Sequence, residues 1–163
     1  MSGFELAEIN IARLRAPIDA PEISAFVEAL DPINALAEQQ PGFVWRFQTE
    51  DGNATAERPF DDDFIIVNMS VWTSIDALAD YVYRSDHITF LRRRREWFSA
   101  MLEVHVVLWW VAAGHRPSVA EGVARLAHLE ANGPTPHAFT FRQPFPPDGA
   151  TPMAADDRNA CPA

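Results

Sequence analysis

The sequence predicts an α+β domain, an antiparallel sheet with helices against it, on three observations. Four stretches carry the period of two that sets alternate side chains on opposite faces of a strand. Two stretches between them repeat apolar residues at helical spacing. Their order along the chain is strand, helix, strand, strand, helix, strand, with a further helix and a short strand appended.

Leu6 to Arg13 is the first strand, with Ala7, Ile9 and Ile11 on one face and Leu6, Glu8, Asn10 and Ala12 on the other. Ala16 to Pro21 is a turn whose second proline suits a helix start. Ile23, Phe26, Val27, Leu30, Ile33, Asn34 and Ala37 then recur as a helical stripe, which Pro32 is expected to kink or divide. Pro41-Gly42 stops it, and Phe43 to Thr49 is the second strand. Glu50 to Asp63 is polar. Phe64 to Trp72 is the third strand, and Thr73 or Ser74 caps a helix from Ile75 to Tyr83. Ser85-Asp86 is a break and fresh cap, with one further helical segment expected from His87 to about Met101. His105 to Val111 is a strand apolar on both faces and so central. Ser118 to Glu121 is a capping box, and Val123, Leu126 and Leu129 form the inner face of its helix. Asn132-Gly133-Pro134 ends that helix, and Ala138 to Phe141 is a short edge strand. The domain is expected over residues 4–142, followed by a disordered tail rich in Pro, Ala and Asp over 143–163.

This order is the split βαβ, or ferredoxin-like, arrangement, with the two main helices on one face of the sheet. In the third strand every odd residue, Ile65, Val67, Met69 and Val71, is apolar, and that face is expected to take the helices. The even face mixes Phe64, Ile66 and Trp72 with Asn68 and Ser70. It is too apolar to face water, since each large side chain left exposed forgoes roughly 1.5–3 kcal/mol. A second copy of the chain is the expected cover, making a homodimer; the alternative is the appended helix folding back.

Composition removes several function classes. The chain has 163 residues and a net charge of −10, unsuited to general nucleic-acid binding. Arg92 to Arg95 fan around a helix and form no basic patch. No apolar run reaches the roughly 18 residues of a membrane span, and no signal peptide opens the chain. Cytoplasmic location is the default. The single cysteine, Cys161, permits neither an internal disulfide nor a cysteine metal cluster. No phosphate-binding glycine loop, dinucleotide fingerprint, nucleophile elbow or zinc-type histidine pair is present.

Glu8, Asn10, Asn68, Ser70 and Trp72 share the mixed face by alternation. Polar groups set in an apolar wall need partners, either one another across neighbouring strands or a ligand. His87, Leu91, Arg94, Phe98 and Met101 follow one helical stripe. His87 suits a general base or acid, or an axial ligand; equally, it suits a satisfied core position. Arg94 needs an anion: one of Asp61 to Asp63, Glu8, or an acidic substrate. Of Trp109 and Trp110, one is expected on the mixed face, and Trp109 is included among the substrate-binding residues. The candidate set is thus His87, Asn10, Asn68 and Arg94 for catalysis, with Glu8, Ser70, Trp72, Phe98 and Trp109 for substrate.

Glu8 to Arg13, Ala29 to Asn34, Pro41 to Arg46, Ile66 to Trp72, Tyr83 to His87 and Leu108 to Val111 together resemble a bacterial family of domains of unknown function, numbered 3291. That family in turn resembles the dimeric α/β-barrel superfamily, which includes antibiotic biosynthesis monooxygenases and haem-degrading monooxygenases. The resemblance implies two ferredoxin-like sheets meeting face to face and a ligand held between sheet and helices. It also implies a histidine after the third strand, a place that His87 occupies. The function expected is that of a small-molecule enzyme without a bound cofactor, acting on an aromatic or polyketide-like substrate. The alternatives are haem binding or haem degradation through His87, and a non-catalytic dimeric ligand-binding module.

Overall fold

The computed structural model describes residues 3–48, 60–99 and 105–148. Its centre is β1 (Phe4–Leu14), which pairs antiparallel with β3 (Ile65–Trp72) along one edge. The other edge of β1 is shared by β5 (Val106–Ala112) and the two-residue β4 (Phe98–Ser99), while β2 (Phe43–Arg46) adds to β3. The spatial order of the four main strands, β2-β3-β1-β5, is the ferredoxin-like order expected from the sequence.

The helices start where local chemistry places them. In α2 (Ile75–Arg84), Ser74 Oγ accepts the Ala77 N–H at 3.1 Å. In α5 (Val119–Asn132), Ser118 Oγ accepts the Glu121 N–H at 3.1 Å, and the helix closes at Gly133 with φ 70°. The helix α1 (Ser24–Glu38) runs through Pro32 as one element. The long helix expected from His87 is two short ones, α3 (His87–Arg92) and α4 (Arg94–Trp97), separated by Arg93 and followed directly by β4. Trp97 is fully buried beside Phe26 and Phe90, and Phe98 turns into the sheet, so aromatic packing overrides helical periodicity here. Met101 lies outside the described residues.

Register aligns the two faces across strands. Glu8 stands opposite Ser70 and Leu108, and Asn10 opposite Asn68 and Val106. The assignment of covers, however, is the reverse of the expectation. The all-apolar face does receive a helix, but it is α5, whose Val119, Leu126 and Leu129 pack with Ile9, Met69, Val107 and Trp109. A Cβ on Gly122 would lie 2.7 Å from Ile9 Cδ1, so only glycine lets α5 approach β1 this closely. The main helices α1 and α2 lie on the mixed face, where Leu6, Trp72 and Leu108 meet Ala37, Ile75 and Leu78. Both crossovers therefore sit on one side, and the chain itself covers the face assigned to a second copy. Among the described residues, Phe4 and Val27 are the exposed large apolar side chains.

The core also extends past residue 142. Phe145 is buried against Phe139, and its carbonyl accepts the Trp110 indole N–H at 2.8 Å. Phe139 itself exchanges both backbone hydrogen bonds with Leu108, so the short edge strand expected over Ala138 to Phe141 is an isolated bridge instead. An aromatic anchor thus lies within the stretch from Gln143 expected to be disordered; residues 149–163 lie outside the described residues.

Gly42 tests the junction between α1 and β2. It has φ 85°, and a Cβ there would stand 2.5 Å from Ala77 Cβ and 2.7 Å from Thr73 Oγ1. Gly42→Ala combines left-handed strain with overpacking and is expected to cost on the order of 2 kcal/mol or more, read by urea unfolding.

Candidate functional site

Between the mixed sheet face and α1, α2 and α3 lies a cavity of about 410 Å³. Sheet residues Glu8, Asn10, Asn68, Ser70 and Trp72 form its floor, and His87, Leu91, Arg94 and Phe98 line it from the segment after α2. Eight of the nine sequence-derived candidates therefore meet in one place. Trp109 does not. It points to the opposite face, fully buried under α5, and its indole N–H donates to Glu121 at 3.0 Å. An apolar strand with two adjacent tryptophans gives no sign of which faces which side; register with Ala7 and Leu6 settles it.

The floor is a chain of hydrogen bonds running in one direction. Trp72 Nε1 donates to Ser70 Oγ at 2.8 Å, and the Ser70 hydroxyl donates to Glu8 Oε2 at 3.2 Å. From the other side, Asn10 Nδ2 donates to Glu8 Oε1 at 2.6 Å. The donors that hold Glu8 are thus neutral, and Glu8 itself is only 6% exposed. Burial pushes its carboxyl up from 4.5 to about 7, while the bonds from Asn10 and Ser70 pull the other way.

Trp72 also builds the aromatic side of the cavity. Tyr81 stacks on it at 5.2 Å and 22°, and Phe43 meets it edge-on at 5.4 Å. Tyr81 escaped the sequence reading, although it lies three residues after Leu78 on the inner stripe of α2. Burial and the Glu8 charge raise its phenol well above the usual value, so it stays protonated and donates to the Ile33 carbonyl at 3.2 Å.

Tyr81 in turn lies 4.8 Å from the His87 ring, with Phe90 6.0 Å away on α3. Ser85 ends α2: its Oγ accepts the His87 N–H at 3.2 Å and its hydroxyl donates to the Tyr81 carbonyl, while Asp86, the N-cap of α3, makes no side-chain cap bond. His87 Nδ1 lies 3.2 Å from the Val82 carbonyl. A carbonyl only accepts, so Nδ1 carries the proton and Nε2 keeps its lone pair. Burial lowers the His87 pKa, partly offset by that bond, so the ring is neutral at pH 7. Arg94 donates to the Leu91 carbonyl at 3.0 Å and is half-buried. Asp62, one of the anions considered for it, instead pairs with Arg13 at 2.7 Å. Arg46, a second cation on the wall, pairs with Glu38 at 2.7 Å. No group of three or more His, Cys, Asp and Glu among the described residues has the geometry to hold a metal, and no helix among them is long and apolar enough to cross a membrane.

An α+β ferredoxin-like domain with an internal, aromatic-walled cavity is the class these features define. The chain belongs to the family DUF3291, a domain of unknown function, whose profile matches residues 5–155. No curated protein matches it. Among solved structures it is similar to SnoaB from Streptomyces nogalater, described as a cofactor-independent oxygenase, at 21% identity, covering 72% of this chain and 98% of that one with a TM-score of 0.45. It is also similar to PA3566 from Pseudomonas aeruginosa, at 16% identity, 72% and 98% coverage and a TM-score of 0.45. A third is Rv0793 from Mycobacterium tuberculosis, at 17% identity, 70% and 99% coverage and a TM-score of 0.44.

Glu8 links the site to stability. Its folded value lies above its unfolded one, so the folded state holds the proton longer. Stability is fullest below about pH 4.5 and falls as pH rises through about 7, by roughly 3 kcal/mol at most. Urea unfolding at about pH 5 and about pH 8 is expected to show this fall in the wild type, and Glu8→Gln is expected to flatten it.

Proposed function

We propose that the cavity is the active site of a small-molecule enzyme that works without a bound cofactor on an aromatic or polyketide-like substrate. The observation that carries this reading is an aromatic-walled enclosure into which a neutral histidine and a few amides and hydroxyls are set. Such a place suits a flat apolar molecule whose charge appears only during reaction.

The chemistry proposed is deprotonation followed by reaction with dioxygen. His87 Nε2 takes a proton from an activated ring CH₂, and the electron pair stays with the substrate as an enolate or phenolate. Asn10, Asn68 and Arg94 donate to the oxyanion. The carbanion bonds to dioxygen to give a hydroperoxide. Loss of the second C–H proton with cleavage of the O–O bond leaves a carbonyl and one water. Carbon is oxidised, dioxygen is reduced, and both hydrogens of the CH₂ end in the water.

Oxygen uptake with a panel of phenols and anthrone-type ketones tests the reading, and silence across the panel would sink it. His87→Ala is expected to lower turnover by roughly 10²–10⁴; full activity in that variant would remove His87 as the base. Because a protonated ring cannot accept a proton and burial lowers its pKa, the acid limb of the pH–rate profile is expected below 6.5. Haemin is expected to give no His87-dependent shift of its Soret band.

A further inference from the structure

The mechanism above leaves one buried titratable group without a task. Glu8 is the only carboxylate on the described cavity wall, and it lies in the middle of the central strand. Its two oxygens are held by different donors, Oε1 by Asn10 and Oε2 by Ser70. A glutamine would keep the bond from Asn10 at its single oxygen, but its NH2 group could not accept from Ser70, so a carboxylate is the side chain that accepts from both. The groups that act on the Glu8 charge are its burial, Asn10 and Ser70, with no cation among them.

Direction is the second point. Trp72 donates to Ser70, Ser70 to Glu8, and Asn10 to Glu8. Every partner of Glu8 is a donor, so the ionised carboxylate offers the cavity acceptor positions only. A carboxylate has about four lone-pair sites, and two are taken. What completes it must bring a hydrogen.

The third point is shape. The indole beside this chain is stacked on Tyr81 and met edge-on by Phe43, so the space next to Glu8 is bounded by ring faces and edges. Tyr81 does not supply the missing hydrogen, because its hydroxyl is committed to the Ile33 carbonyl.

We propose that Glu8 is the recognition residue of the cavity, and that the bound molecule is a hydroxylated aromatic whose ring O–H donates to the Glu8 carboxylate. This rests on the cavity being a small-molecule site, as proposed above, and narrows the substrate class within it. Among the competing polar groups on the wall are the cations Arg46, Arg94 and Arg142. If the arginines read the ligand instead, it would bind as an anion. The two arrangements leave opposite marks on a ligand whose colour reports its own ionisation.

The probe pair is 4-nitrophenol and its methyl ether, 4-nitroanisole, titrated into the full-length protein at about pH 8, above the value of about 7 to which burial pushes the Glu8 carboxyl. The phenol is expected to bind roughly tenfold or more tighter than the ether, the scale of a hydrogen bond to a charged group. Its yellow phenolate colour is expected to fade on binding, since Glu8 selects the neutral form. In Glu8→Gln the preference is expected to shrink to about threefold or less while 4-nitroanisole affinity is kept, which also reports an intact cavity. A ligand-induced infrared difference spectrum of the wild type gives a second readout that needs no variant: the carboxylate band should shift with the phenol and not with the ether. Equal affinities, a yellow bound probe, or a preference that survives Glu8→Gln would overturn the assignment while leaving the cavity as a ligand site. Failure of both probes to bind would overturn it together with the reading beneath it.

Discussion

A carboxylate held in the middle of a sheet by two neutral donors is the constraint around which this molecule is arranged. Glu8 lies on β1, the strand to which β3, β4 and β5 all pair, so its position is as rigid as any in the fold. Its partners come from register: Ser70 stands directly opposite, and Asn10 is the next residue on the same face. Had β3 slipped by one residue, Ile66, Asn68, Ser70 and Trp72 would all have moved to the α5 side. The hydrophobic pattern that fixes the sheet therefore also fixes the site.

The helices extend that order outward. Ile75, Leu78 and Ala79 dock α2 over one end of the face, which brings Tyr81 onto Trp72. Tyr81 supports His87, and Ser85 ends α2 so that the chain turns there. At the other end, Phe26, Phe90 and Trp97 form a separate aromatic cluster that closes the cavity against α1. The open space is what remains between two well-packed ends, and its polar groups lie where the two clusters do not meet. Opposite shifts in the acidity of Glu8 and His87 follow from one cause, since burial disfavours the charged form of either group.

On the other face the appended segment supplies the cover. Gly122 lets α5 lie close on Ile9, and Glu121, released from the reciprocal bond of a capping box, ties Trp109 and His115 to the helix start. Phe145 and Trp110 close the remaining edge. These elements lie after the βαββαβ unit, so the appended segment is part of the packing rather than an ornament.

Much of this was legible in the residues. Period-two alternation gave the strands and put Glu8, Asn10, Asn68, Ser70 and Trp72 on one face, because side-chain direction along a strand depends on the backbone alone. Serine caps and Gly42 marked helix and strand boundaries for equally local reasons. What the sequence did not decide was which layer covers which face, since an apolar face attracts any apolar partner and the pattern does not say which helix arrives first. Nor did it separate Trp109 from Trp110, end the helix at Trp97, or reveal Tyr81 and Phe145 as parts of the core and the site. Each of those is settled by contacts between residues distant in sequence, where burial and packing outweigh local periodicity, and only the assembled tertiary structure contains them.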